Sequence, residues 1–220
     1  LAQIEHKVAQ GCQVIKMKVG ALPFEEELRL LQDLRRRWPA SQVELRLDAN
    51  GAWQPATALE YLQRLAGLDV TFLEQPIAAN QWPAMAEICR RSPVPIALDE
   101  DLIGVPASQR SALLDAIHPQ HLILKPTLLG GLVACEAWID AARKRRIQWW
   151  SNSLLEANVG LNAIAQWTAA LDAQRVHGLG TGQLFRNNVP SPLRLERCGL
   201  RLDGAAGWDC AAIESQGEGG

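Results

Sequence analysis

Five charged residues, Lys18, Asp48, Glu74, Asp99 and Lys125, follow one another at intervals of 30, 26, 25 and 26 residues. Each closes a short apolar or β-branched run: Val14-Ile15-Lys16-Met17-Lys18, Val43-Glu44-Leu45-Arg46-Leu47-Asp48, Val70-Thr71-Phe72-Leu73-Glu74, Pro95-Ile96-Ala97-Leu98-Asp99 and Leu122-Ile123-Leu124-Lys125. Taken singly, a strand lysine at the surface or a helix-capping aspartate is the ordinary reading. Five in register at the ends of successive strands is not ordinary. Three carboxylates flanked by amines are a site for a divalent metal with acid/base groups on either side. The hard oxygens of Asp48, Glu74 and Asp99 suit Mg²⁺, with Mn²⁺ as a substitute, and the lack of Cys or His at these positions argues against zinc. A carboxylate substrate on such a metal would have its α-proton acidified, and Lys18 could remove it if Lys16, Arg46 and the metal, all cationic, favour its neutral form.

A strand, a helix and two loops fill one interval, which is the repeating unit of a parallel β/α fold. In a β/α barrel the C-terminal ends of all strands face one mouth, so the five side chains converge there. Because i and i+2 share a face, Lys16 and Lys18 point inward together, and so do Arg46, Asp48 and Asn50. Inward lysines make sense only beside anions. Helices fit about Phe24–Trp38, Pro55–Gly67, Gln81–Arg91, Pro106–Ile117, Gly131–Arg145 and Glu156–Leu171, the first with Glu25-Glu26-Glu27 in its opening turn. Two further strands are expected, Ile147-Gln148-Trp149-Trp150-Ser151 and Arg175-Val176-His177-Gly178-Leu179. Seven parallel strands are one short of a closed barrel, so the expectation is a fragment or a gap closed by something else. Residues 1–192 form this barrel, and 193–220 a separate segment. In it Leu193-Arg194-Leu195 and Leu200-Arg201-Leu202 alternate as short strands that would pack on a domain outside this chain, with Ser215–Gly220 disordered.

Composition agrees with an enzyme of this build. With 220 residues, 48% hydrophobic and a net charge of −2, the chain can bury one sizeable core. No nucleic-acid partner is expected: the basic runs Arg35-Arg36-Arg37 and Arg143-Lys144-Arg145-Arg146 close helices, where cations complement the helix dipole. No stretch is long enough to span a membrane and no secretory signal opens the chain. Cys12, Cys89, Cys135, Cys198 and Cys210 are odd in number and scattered, and read as free thiols in a reducing cytoplasm. Gly178-Leu179-Gly180-Thr181-Gly182 fits either an anion contact through backbone N–H groups or a plain turn. His118 and His121 read as structural. Of the adjacent Trp149 and Trp150, one faces the barrel and the other the helices, and Trp53 is a candidate wall for a planar substrate.

Lys16-Met17-Lys18, Leu47-Asp48-Ala49-Asn50, Leu73-Glu74-Gln75-Pro76, Leu98-Asp99-Glu100 and Leu124-Lys125-Pro126-Thr127 resemble the enolase superfamily, in its muconate-lactonising-enzyme-like branch. Within it, Lys125-Pro126-Thr127 before Gly130-Gly131, and Ser151-Asn152-Ser153-Leu154-Leu155-Glu156 before Gly160-Leu161, are most similar to the o-succinylbenzoate synthases. The resemblance extends to about Trp208. It implies a (β/α)7β TIM-like barrel of enolase type, here without its first strand and N-terminal α+β cap. The implied reaction is Mg-dependent syn-dehydration of 2-succinyl-6-hydroxy-2,4-cyclohexadiene-1-carboxylate to 2-succinylbenzoate, in menaquinone or phylloquinone synthesis. Lys18 would take the α-proton and return it to the leaving hydroxide, and Lys125 would stabilise the enediolate from the opposite face. Lys16, Arg46, Asn50, Ser151, Ser153, Gly180 and Thr181 would contact the substrate. Three alternatives stay open: an N-acylamino-acid racemase or dipeptide epimerase, a cycloisomerase of muconate-like lactones, and a catalytically silent barrel fragment.

Overall fold

A computed structural model describes residues 1–180, 185, 188–204 and 206–208. Six strands, β1 (Val14–Lys18), β2 (Glu44–Asp48), β3 (Val70–Glu74), β4 (Ile96–Leu98), β5 (His121–Leu124) and β6 (Gln148–Ser151), form one parallel sheet in sequence order. The helices are α1 (Ala2–Ala9), α2 (Phe24–Arg37), α3 (Pro55–Leu65), α4 (Trp82–Arg91), α5 (Arg110–Ile117), α6 (Pro126–Leu129), α7 (Leu132–Arg143) and α8 (Asn158–Leu171). A hairpin of β7 (Leu193–Glu196) and β8 (Gly199–Leu202) follows.

The helices wind as their sequences dictate. In α2 the apolar residues Leu28, Leu31 and Leu34 return every three or four positions and are buried against the sheet, while Pro23 precedes the first turn and three arginines close the last. Arg35 is more than a solvated helix end: its guanidinium donates to the carbonyls of Val43, Leu68 and Asp69 at 2.7, 2.7 and 3.0 Å, tying α2 to the loops entering β2 and β3.

The sheet curls so that its two faces build separate cores. One, between strands and helices, contains Leu45, Leu47, Leu73, Ile96, Leu98, Leu122, Leu124 and Trp149. The other, on the concave face, contains Phe72, Ala97, Ile123 and Trp150, so the two adjacent tryptophans do part to opposite faces. Arg46 lies in this inner layer, its guanidinium carbon 3.9 Å from the Trp150 ring centre. It donates to Val176 O across the interior at 2.8 Å.

The seventh expected strand, Arg175–Leu179, does not form, and six parallel strands replace the expected seven. Only an isolated bridge between Asn152 and Gly178 extends the ladder. The backbone amide of Ser151, which would pair with that strand, is instead taken by His177 Nδ1 at 3.0 Å. Arg175 N is held back in a turn by Asp172 Oδ1 at 3.2 Å. At Gly178 an added Cβ would lie 2.4 Å from Asn152 Oδ1, so a larger residue there would displace the Asn152 side chain. A cavity of about 660 Å³ lies between this segment, β1 and the hairpin turn at Glu196–Gly199.

The cysteines also depart from expectation. Cys12, just before β1, is joined in a disulfide to Cys198 in the hairpin turn, with Cα atoms 5.2 Å apart. Cys89 and Cys135 are free and buried, and burial pushes each thiol up to about 12. Cys210, and the Ser215–Gly220 tail expected to be disordered, lie outside the described residues. No helix among the described residues is long and apolar enough to cross a membrane.

Candidate active site

Parallel pairing puts Lys18 opposite Asp48 and Asp48 opposite Glu74 at the C-terminal ends of β1, β2 and β3. Asp99 and Lys125 are the first residues beyond β4 and β5 and point the same way, being two positions past the inward Ala97 and Ile123. Asp48, Glu74 and Asp99 are 2%, 0% and 2% exposed, an expensive burial for three carboxylates unless cations meet them. Two lysines do. Lys16, one layer down on β1, reaches up between Asp48 Oδ2 at 2.8 Å and Glu74 Oε2 at 2.6 Å. Lys125 Nζ pairs with Asp99 Oδ2 from the other side.

Burial pushes the Glu74 carboxyl well above the usual carboxylate range; Lys16 opposes the shift, and Asp48 and Asp99 add to it. Burial draws the Lys16 ammonium down, but Glu74 and Asp48 outweigh it and leave the group above its ordinary value. Glu74 Oε1 has no partner, and Oε2 meets Lys16 as an ion pair without hydrogen-bond geometry.

The donor set is the one a hard divalent cation uses: carboxylate oxygens, buried, in excess of their hydrogen-bond donors. Among the described residues no three acidic, Cys or His side chains converge on one point: Lys16 lies between Asp48 and Glu74, and Lys125 holds Asp99. The residues present therefore fit a cation that would take up the charge the lysines now balance. Freed of Asp48 and Glu74, Lys16 would face the mouth beside Lys18.

Lys18 donates to Asn50 Oδ1 at 2.8 Å, and Asn50 Nδ2 donates to Glu100 Oε1 at 3.1 Å. The chain Lys18–Asn50–Glu100 thus spans the ends of β1, β2 and β4. Asn50 has a φ of 42° and its N–H closes a turn on Asp48 Oδ1 at 3.0 Å, which orients that carboxylate.

Other expected contacts fall elsewhere. Arg46 sits one layer below the mouth, held by Glu44 Oε1 at 2.7 Å and by Trp150. Ser151 faces α8, where Thr168 Oγ1 donates to its Oγ at 2.9 Å. Ser153 Oγ donates to Gly178 O at 3.2 Å. Gly180 borders the cavity beside β1, and Thr181 lies outside the described residues. Trp53 is no mouth wall: it is buried edge-on against Phe24 and Tyr61 at 6.2 and 5.3 Å between centroids. His121 packs inside the barrel against Phe72 and Trp150, in keeping with a structural role.

Three residues at the mouth were not singled out by sequence. Asn152 occupies the inward position two beyond Trp150, legible from strand alternation alone. Glu156 accepts from Thr127 Oγ1 at 2.6 Å, linking the loops after β5 and β6, and its Oε2 is buried without a partner. Glu100 is the third, through Asn50.

Residues 1–209 match the family model described as "Enolase C-terminal domain-like". The chain is 51% identical over 194 residues to the o-succinylbenzoate synthase of Desulfotalea psychrophila (strain LSv54), covering 88% of this chain and 53% of that protein. It is 32% identical over 185 residues to the o-succinylbenzoate synthase of Vibrio cholerae serotype O1 (strain M66-2), covering 83% and 54%. The crystal structure of MenC from Desulfotalea psychrophila LSv54 superposes with a TM-score of 0.86 at 49% identity, over 90% of this chain and 55% of that one. The chain thus spans about half the length of the relatives it matches. A match over nearly the whole sequence, on a curled parallel sheet with the charged residues at one mouth, means that this chain belongs to the enolase C-terminal domain-like family.

Proposed function

We propose that this chain carries the catalytic barrel of an o-succinylbenzoate synthase, which dehydrates 2-succinyl-6-hydroxy-2,4-cyclohexadiene-1-carboxylate to 2-succinylbenzoate. The observation that carries the reading is the charge order around the mouth: lysines on β1, buried carboxylates ending β2 and β3 and following β4, and a lysine after β5. Identity of 51% to a protein of that name supports this reaction over the epimerase and cycloisomerase alternatives.

Asp48, Glu74 and Asp99 would hold one Mg²⁺, which when bound would supply positive charge to the substrate carboxylate and so acidify its α-proton. Lys18, on the open side of the carboxylates, would take that proton in its neutral form. As its conjugate acid it would then give a proton to the departing hydroxyl, so that one group serves both halves of a syn elimination and water is the product. Lys125 approaches from the opposite edge and would balance negative charge building on the substrate carboxylate. Lys16 would bind that carboxylate. Because the product is aromatic, the elimination is strongly downhill, and the residues need mainly to stabilise charge at the α-proton step.

The test is a spectroscopic assay of dehydration, with and without Mg²⁺, on the protein that contains this chain, alongside solvent-deuterium exchange at the α-carbon of an N-acylamino acid or dipeptide. Metal-dependent aromatisation is expected. Exchange without dehydration would replace this reading with a racemase or epimerase, and neither activity would leave a silent barrel.

A further inference from the structure

We infer that Gln75 and Asp101 are positioning residues that fix the separation of Glu74 and Asp99, resting on the reading that these two carboxylates hold one cation. Among the pairings of the parallel sheet, β3 with β4 is among the shortest: Leu73 faces Ile96 and Glu74 faces Ala97, and there the ladder stops. Asp99 lies beyond it. Its amide would be orphaned, because the chain after Glu74 turns away at Gln75, whose φ is 41°.

A side chain continues the ladder instead. Gln75 Oε1 accepts the N–H groups of Asp99 at 3.1 Å and Asp101 at 3.3 Å. Gln75 Nε2 donates to Asp101 Oδ2 at 2.8 Å and to Ile77 O at 2.9 Å. Asp101 Oδ1 accepts from Asn80 N at 2.8 Å. Gln75 is 0% and Asp101 2% exposed, so water does not compete.

The chemistry of the pair sets its orientation. The Ile77 carbonyl only accepts and the Asp99 and Asp101 N–H groups only donate, so the nitrogen of the Gln75 amide must face Ile77 O and Asp101 Oδ2, which leaves the oxygen for the two backbone N–H groups. Were the amide turned over, its NH₂ would confront Asp99 N–H and its oxygen would confront Asp101. The clasp therefore has one arrangement, and it pins the ends of β3 and β4 immediately beside Glu74 and Asp99.

Three variants test this: Gln75→Met, Gln75→Glu, and Gln75→Glu combined with Asp101→Asn, which exchanges donor and acceptor. Each is checked for folding by circular dichroism, then measured by hydrogen exchange at the Asp99 and Asp101 amides and by calorimetric titration with Mg²⁺. Gln75→Met and Gln75→Glu should lose protection at both amides and weaken Mg²⁺ binding by about 10–100-fold, the usual effect of removing a group that orients metal ligands. The double variant restores the match between positions 75 and 101 but leaves Ile77 O facing a carboxylate oxygen, so it should recover part of what Gln75→Glu loses, which a merely volume-filling role for Gln75 would not produce. Unchanged protection and affinity in Gln75→Met would overturn the clasp. If the parent chain binds no Mg²⁺, the cation reading fails, and the amide-exchange results alone still decide whether the clasp exists.

Discussion

Lysines of one strand divide the labour at the mouth because they differ by one layer. Lys16 is committed to Asp48 and Glu74, whereas Lys18 meets only the neutral amide of Asn50. Lys18 donates to Asn50 rather than to a carboxylate, so its removal leaves the carboxylate set intact. Replacing Lys18 by Ala should cut turnover by about 10²–10⁴-fold, the span that acid–base groups contribute, while Mg²⁺ affinity stays at the parent value because the carboxylates are untouched. A loss of less than about tenfold would make Lys18 a binding residue. A second residue-scale outcome concerns the barrel floor. Burial lowers the His121 imidazole to about 4, with Arg46 and Arg175 adding repulsion, so it stays neutral in the fold. Between pH 4 and 6.5 the unfolded chain then binds more protons at this site than the folded one, so stability from His121 is lost as pH falls through that window. The shift corresponds to about 3 kcal/mol. Urea unfolding of His121→Gln across this range should be visibly less pH-dependent than that of the parent. Parallel curves would mean that burial does not shift His121 and that it titrates alike in the folded and unfolded chain.

At the scale of elements, the loop from β1 to α2 is held by the helix it leads into. Glu27 turns back from the first turn of α2 and accepts the N–H groups of Gly20, Ala21 and Leu22 at 2.8, 3.1 and 3.0 Å. Gly20 has a φ of 91°, and a Cβ there would lie 2.6 Å from Ala52 Cβ, so the loop is pressed onto the one after β2. Glu27→Ala should leave three donors without their partner, cost about 2–3 kcal/mol, and expose the Gly20–Leu22 amides to exchange. Protection unchanged at those amides would show that the loop holds itself. In sequence Glu27 was one of three acids at a helix start, and nothing distinguished it from Glu25 or Glu26. The strands were far more legible, since a β-branched run ending in a charge marks both the element and its exit. β1 and β3 have the expected bounds, and Lys16 and Lys18 share a face with Asp48 as alternation requires. The motif around Ser151 and Ser153 is less informative than strand alternation: Trp150 facing inward puts Asn152, not Ser151, on the inner face. The Arg175–Leu179 run had the right composition for a strand, but His177 and Asp172 give its neighbours' amides and its own other partners. α1 buries only Ile4, too little to print an apolar stripe in the sequence.

Across the whole molecule, the feature least visible in the sequence is the covalent one. Cys12 and Cys198 are 186 positions apart, so no spacing rule could pair them; folding the chain once around the barrel brings them together. The hairpin needs such a tie, because Leu195 and Leu202 are 45% and 51% exposed and its apolar cover is thin. Closing a loop of that length removes entropy from the unfolded chain worth about 5 kcal/mol at the upper end. Two consequences can be measured together. Alkylation of the unreduced, denatured chain followed by peptide mapping should label Cys89 and Cys135 at once and Cys12 and Cys198 only after reduction. Reduction, or Cys198→Ser, should lower the thermal midpoint and strip exchange protection from Leu193–Leu202, while the amides of β2 to β5 keep theirs, since their neighbours lie on both sides. Labelling of Cys12 and Cys198 before reduction would show that the bridge does not form. A bridge that forms, with hairpin protection unaffected by reduction, would show that the packing of α8 and the 176–180 segment holds the hairpin without it.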